Sequence, residues 1–298
     1  MQEPKFVGCR VGELLDGERK FPLSVFYPTL TPSKKSRVGP HLYSVATDAP
    51  PDGRHPLVLL SHGSGGMLLI YRALVFYLVR QGFVVAVPEH PGNNYRDNSL
   101  EGTVENLTGR PRHLRAALDC LFDQKTFGGV IAPGPAAVIG HSMGGYTALA
   151  VAGGVPTTSP GEAPDDGVLT IPQTRDPRVG ALVLLAPATL RYRNPGALRA
   201  VNVPIFMVFG DRDTITPPES NAPVVLKGVP DPDRVRCRLV KNAGHFSFLD
   251  PCPRFPRNSP FFSAQDLPDF NRKAFLQSLH AEILDFLTGT TAAGRCII

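Results

Sequence analysis

The residues with most chemistry to offer sit at Gly140-His141-Ser142-Met143-Gly144. They lie between an apolar run, Ala136 to Ile139, and a small-residue run, Tyr146 to Gly154. A serine flanked by glycines in this G-x-S-x-G spacing, between a strand and a helix, occupies a tight turn that pushes its oxygen out of the sheet. Gly140 and Gly144 lack a Cβ, so strand and helix can approach closely there. The turn also puts Ser142 at a helix N-terminus, where backbone N–H groups and the helix dipole stabilise negative charge. The alternative is a glycine-rich turn with an incidental serine. The flanking elements and the partners downstream favour a nucleophile.

A serine nucleophile at neutral pH needs a base, and the base needs an orienting acid. Residues 204–218 read PIFMVFGDRDTITPP, so Asp211 and Asp213 both follow an apolar strand that ends at Gly210. Residues 241–248 read KNAGHFSF and put His245 in a loop after a last strand. Active-site groups gather beyond the carboxyl ends of such strands. His62, His90 and His141 also fall near strand ends, where packing or hydrogen bonding explains them. Glu89-His90-Pro91-Gly92 is either a shaped turn or part of a pocket lining. No H-E-x-x-H, zinc-spaced cluster or phosphate-binding loop occurs, and no cofactor or metal is expected.

These groups need a scaffold, and the hydropathy pattern supplies one. Residues 5–28 read as two β segments and 29–55 as a polar surface loop. Pro56 to Leu60 is a continuous apolar run, the mark of a strand buried on both faces of a parallel sheet. A helix over about 69–80, a strand at 83–87 and a polar loop over 92–110 follow. Pro111 is placed for the first turn of a helix, whose apolar face is Leu114, Ala117, Leu118, Leu121 and Phe122. After the elbow come a Pro- and Gly-rich insertion at 155–177, strands at 179–185, 204–209 and 235–240, and a Pro- and Phe-rich loop at 251–269. Phe275, Leu279, Ile283, Phe286 and Leu287 mark a closing helix with Gly289 as its stop. Strands alternating with helices imply a mostly parallel sheet covered on both faces. No linker splits the 298 residues, so one α/β domain with loop insertions is expected.

The net charge of +5 comes from interspersed acids and bases, which argues against a nucleic-acid stripe. The greasiest run, Met67 to Val79, contains Arg72 and is too short to span a bilayer. The five cysteines are scattered and lack a C-x-x-C pair, favouring free thiols in a reducing compartment. With no apolar leader at the amino terminus, the expected location is cytoplasmic.

Taken together, LLSHGSGG, QGFVVAVPEHPGN, RPRHLRAALD, GHSMGGYTALA, LLAPA, GDRDTITPP and AGHFSF resemble one group of α/β-hydrolase serine esterases. That group contains platelet-activating-factor acetylhydrolases and dienelactone-hydrolase-like esterases. The resemblance covers about residues 20–250. It implies the α/β-hydrolase fold and the triad order Ser142, Asp213, His245. The acid in such hydrolases follows the glycine by three residues, which favours Asp213 and leaves Asp211 to satisfy turn N–H groups. It also implies an oxyanion hole of the Ser64 and Met143 backbone N–H groups. Two features depart from the relatives. Dienelactone hydrolases carry cysteine at the elbow, and acetylhydrolases carry the acid after the strand that here ends ALVLLAPATL, without one. The implied activity is hydrolysis of a carboxylic ester, with lactones among the candidate substrates. An amidase, an acyltransferase or cyclase, and a non-catalytic binding protein are the competing readings. His90, Tyr95 and Phe246 are candidate substrate contacts, with Phe248, Phe255, Phe261 and Phe262 as further apolar wall. The expected partner is a small ester, lactone or amide.

Overall fold

Alternation of the sequence on the two sides of one sheet organises this chain. The computed structural model describes residues 6–123, 127, 129–159, 162, 167–172, 175–251, 266, 267 and 269–293. Strands β1 (Phe6–Asp16) and β2 (Arg19–Thr29) form an antiparallel hairpin, and β3 (Lys34–Val38) and β4 (His41–Thr47) form another. Then come β5 (Leu57–Ser61), α1 (Arg72–Arg80), β6 (Val84–Pro88), α2 (Val104–Phe122), β7 (Ala136–His141) and α3 (Met143–Val151). The chain continues through β8 (Val179–Leu185), β9 (Ile205–Gly210), α4 (Pro218–Gly228), β10 (Val235–Val240) and α5 (Arg272–Ala293).

The ten strands lie in the order β10-β9-β8-β7-β5-β6-β2-β1-β4-β3. From β6 to β10 all neighbours are parallel, and β2 runs antiparallel to β6. Val58 and Leu60 of β5 join the core under α1 and α5, while Leu57 and Leu59 join the core under α2 and α3. Both faces are covered, which is why β5 to β9 are almost continuously apolar. The chain goes from β5 outward to β6, then returns to place β7 on the other side of β5. That reversal is a switch point at the carboxyl ends of β5 and β7, the place where open α/β sheets bind ligands.

Several expectations need correction. The stretch 29–55 is not simply a loop, because β3 and β4 lie within it, with Gly39 at φ 56° in the turn between them. Its larger buried apolar residues, Val38, Tyr43 and Val45, are too few to stand out among Pro, Ser and Gly. Pro111 is not in a first turn. Helix α2 starts at Val104, capped by the Thr103 hydroxyl accepting from the Asn106 N–H at 3.1 Å. A proline inside a helix leaves the carbonyl four residues back without its donor. That carbonyl, Leu107 O, accepts instead from the Tyr146 hydroxyl at 2.9 Å. Helix α4, rich in proline, was not expected at all, and α5 runs past Gly289 to Ala293. Most of 251–269, with Phe255, Phe261 and Phe262, and part of 155–177 lie outside the described residues. Among the described residues no helix is long and apolar enough to cross a membrane, and Cys9, Cys120 and Cys237 are free thiols.

Candidate functional site

Strand β7 delivers the chain to Ser142, whose backbone sits at φ 55°, ψ −119°. A non-glycine residue there is strained at a cost of about 1–3 kcal/mol, which the surrounding structure must hold in place. Short backbone bonds do so. Ser142 N–H donates to Leu185 O at 3.0 Å, while Gly145 N–H and Ala188 N–H donate to Ser142 O at 2.8 and 3.0 Å. The two glycines are sterically required. A Cβ on Gly140 would stand 2.1 Å from Gly144 O, and one on Gly144 1.9 Å from Ser61 O. The Ser142 hydroxyl does not cap α3, and the residue is only half-buried.

Loops after β9 and β10 bring Asp213 and His245 together. Gly210 makes this possible, since a Cβ there would meet Ala243 O at 2.1 Å. His245 Nδ1–H donates to Asp213 Oδ2 at 2.8 Å, which leaves Nε2 as the unprotonated nitrogen. Asp213 Oδ1 accepts from Ile215 N–H at 2.9 Å and Thr216 N–H at 2.8 Å, and Thr216 Oγ1 lies 2.7 Å from Oδ2. Burial pushes the Asp213 carboxyl up, but the His245 contact and the Thr216 bonds outweigh it and hold the group below its usual value. Asp211 plays no part in this and does not serve the turn as expected. Its Oδ1 is buried without a hydrogen-bond partner among the described residues, and the turn N–H groups go to Asp213.

No hydrogen bond joins the Ser142 hydroxyl to the His245 ring. The two are linked through His141. Its Nε2–H donates to His245 O at 3.0 Å, and the two imidazoles are 4.9 Å apart. Its Nδ1 accepts from the Tyr71 hydroxyl at 3.1 Å, which itself accepts from Gly63 N–H at 3.1 Å. Burial, and then the neighbouring His245, push the His141 pKa down to about 3, so the ring is a neutral clamp. Tyr71 and His141 thereby pin three loops together. Sequence reasoning left Tyr71 unmarked, because it reads as one more apolar residue of the 67–79 run.

The loop after β5 lies against the elbow. A Cβ on Gly63 would be 3.2 Å from Ser142 Cβ, so Ser64 follows directly beside the serine. Gly63 N–H is consumed by Tyr71, whereas the Ser64 and Met143 N–H groups donate to no group among the described residues. The Ser64 hydroxyl donates to Glu101 Oε1 at 2.6 Å and accepts from Asn93 Nδ2 at 2.8 Å.

The candidate substrate contacts divide. His90 is fully buried, unlike the other two candidates. It belongs to a relay behind the β5 loop, with Nε2 2.9 Å from Ser61 Oγ and Nδ1 3.1 Å from His113 Nδ1. His113 Nε2 meets Asp16 Oδ2 at 3.0 Å. Tyr95 is half-buried, and its N–H donates to Gly66 O at 3.1 Å, beside the glycine-rich loop. Phe246 is half-buried with its ring edge-on to His245 at 5.1 Å. Phe248 is core, edge-on to Phe275 with ring centres 5.6 Å apart. Two recesses lie elsewhere. One of about 490 Å³ sits between β4, α1 and α5, and one of about 190 Å³ under the starts of β5, β7 and β8. Neither is lined by Ser142, Asp213 or His245. Among the described residues no group of three His, Cys, Asp or Glu could hold a metal ion.

Residues 53–195, just under half of the chain, match the family described as serine aminopeptidase, S33. The matched span includes Ser64, Ser142 and Met143 and ends before Asp213 and His245. The fold is that of the α/β-hydrolases. The chain is also similar to a bis(hydroxyethyl) terephthalate hydrolase from Streptomyces coelicolor, with 32% identity over 171 residues. That stretch is 57% of this chain and only 44% of the relative's length. Neither match is to a platelet-activating-factor acetylhydrolase or a dienelactone hydrolase, so the narrower resemblance gives way to the broader fold class.

Proposed function

We propose that this chain is a serine hydrolase of carboxylic esters working through an acyl-enzyme on Ser142. The strained backbone of Ser142, held at the switch point beside an Asp213–His245 pair, carries this reading. His245 Nε2 takes the Ser142 proton as Oγ attacks the acyl carbon, and the new Oγ–C bond leaves a tetrahedral oxyanion facing the Ser64 and Met143 N–H groups. The protonated imidazole gives its proton to the departing alcohol as the C–O bond breaks. Water, deprotonated by the same nitrogen, then attacks the acyl-enzyme and frees Ser142 and the acid. Asp213 keeps the Nδ1–H tautomer and stabilises the imidazolium. Substrate binding brings Ser142 and His245 into hydrogen-bond contact, a bond often slack in unliganded enzymes.

The relative's name makes bis(hydroxyethyl) terephthalate a reasoned test substrate beside a p-nitrophenyl ester series and lactones. The matched family's description names an aminopeptidase, which favours including amides as the second reading. Product analysis with competing amines and alcohols separates hydrolysis from acyl transfer. Ser142→Ala should abolish fluorophosphonate labelling and nearly all turnover. Turnover surviving in that variant would reassign the nucleophile.

A further inference from the structure

Arg110 heads the largest fully buried side chains, and it meets no carboxylate at ion-pair distance among the described residues. A buried cation without a counter-charge is costly, and an apolar side chain would fill the same space at less expense. Its neutral partners show what the cost sustains. Nε donates to Thr147 Oγ1 at 2.9 Å, and that hydroxyl donates on to Met143 O at 2.8 Å in the first turn of α3. Nη1 donates to Asn93 Oδ1 at 2.5 Å, and Asn93 Nδ2 donates to Ser64 Oγ at 2.8 Å. Nη2 donates to His62 O, one peptide before the Gly63 that lies against Ser142. One guanidinium thus ties the residue that carries each proposed oxyanion donor to the same rigid fork.

We propose that Arg110 is a positioning residue for the oxyanion hole. It locks the Ser64 and Met143 N–H groups in a single relative orientation and sets a fixed positive charge behind them. The proposal rests on the assignment of Ser142 as nucleophile. Burial brings the guanidinium pKa down to about 9, so the group remains charged at neutral pH. Lysine is a point charge without the planar fork and cannot hold both walls.

The test compares wild type, Arg110→Lys, Arg110→Met and Thr147→Val on one soluble aryl ester, with Ser142→Ala as control. The measurements are kcat, KM, the Ki of a trifluoromethyl ketone that forms a tetrahedral oxyanion on serine, and the Ki of the carboxylic acid product. Loss of one oxyanion donor costs about 10²–10³ in kcat, so misalignment should cost about 10² in Arg110→Met and about tenfold in Thr147→Val and Arg110→Lys. KM and the product Ki should stay within about threefold, and the ketone Ki should rise in step with the kcat loss. Unchanged kcat, or ketone and product Ki rising together, would overturn the proposal. If Arg110→Met does not fold, Thr147→Val and Arg110→Lys decide by the same readouts. Full turnover in Ser142→Ala, or a wild type that neither turns over esters nor binds the ketone, brings down the parent reading instead. Wild-type turnover that requires Ser142 but is indifferent to Arg110 and Thr147 brings down only this one.

Discussion

At the scale of single residues, the two aspartates after β9 are the sharpest case. They differ by two positions, and composition does not separate them. Backbone geometry does, because only Asp213 meets both the His245 ring and the N–H groups of its turn. Asp213→Asn should therefore present an amide to Nδ1, favour the wrong tautomer and cut kcat by about 10³–10⁴ with little change in KM. Asp211→Asn should leave kcat within about twofold, since its carboxylate touches none of the proposed machinery. Steady-state kinetics on both variants checks the assignment, and the reverse pattern would move the acid to Asp211. The elbow serine was legible because its motif is contiguous and each glycine answers a local steric demand. Tyr71, Thr216 and Arg110 were not. Their significance lies in contacts with residues far along the chain, such as Tyr71 with His141, 70 positions away.

Among the elements, α2 shows how tertiary contact overrides a local signal. Pro111 advertises a helix start, yet the helix begins seven residues earlier at Val104. Thr103 supplies the cap, and Tyr146 of α3 takes over the carbonyl that Pro111 leaves without a donor. Removing that donor in Tyr146→Phe leaves a buried carbonyl unsatisfied and should cost about 1–3 kcal/mol. Pro111→Ala restores the missing N–H, so the double variant should lose less than the two single losses added together. Urea midpoints for the four proteins measure this, and strict additivity would show that Tyr146 does not substitute for the helix bond. The same element carries Arg110 into the interior, where a start at residue 111 would have left it in a solvated loop. The β3–β4 hairpin and α4 escaped notice for the opposite reason: their apolar residues are few, and prolines or polar neighbours mask the period.

For the whole molecule, buried histidines set the acid limit. Burial chiefly lowers the pKa of His62 and His141 to about 3 and of His113 to about 4, and it takes His90 well below its ordinary value. All four stay neutral in the folded chain while the unfolded chain protonates them near 6.5. Their contribution is complete above pH 6.5 and is lost as pH falls toward 4 and 3, at about 1.4 kcal/mol per pH unit for each. Asp250 opposes them. Burial raises its carboxyl to about 6, so its contribution is present below 3.8 and fades as pH rises through 6. His280, lowered by burial to about 4, adds to the four histidines, and Glu89, raised by burial, sides with Asp250. The lowered histidines outweigh the two raised carboxyls, and the melting temperature should fall steeply between pH 6.5 and 4. His113→Gln should flatten that fall, measured by thermal melts across the range, and an unchanged slope would mean that His113 is protonated in the native state. By itself the sequence determined the alternation of buried strands and helices, the elbow, and the chain order of a serine, an acid after β9 and a histidine after β10, because each follows from short-range pattern and backbone sterics. Tertiary structure alone decided which acid meets His245, that His90 is buried behind the β5 loop, and that Arg110, with no carboxylate partner among the described residues, is hydrogen-bonded to Thr147 and Asn93. Those outcomes depend on which distant side chains share a dry interior, where hydrogen-bond partners and charge are set by packing and not by neighbours in sequence.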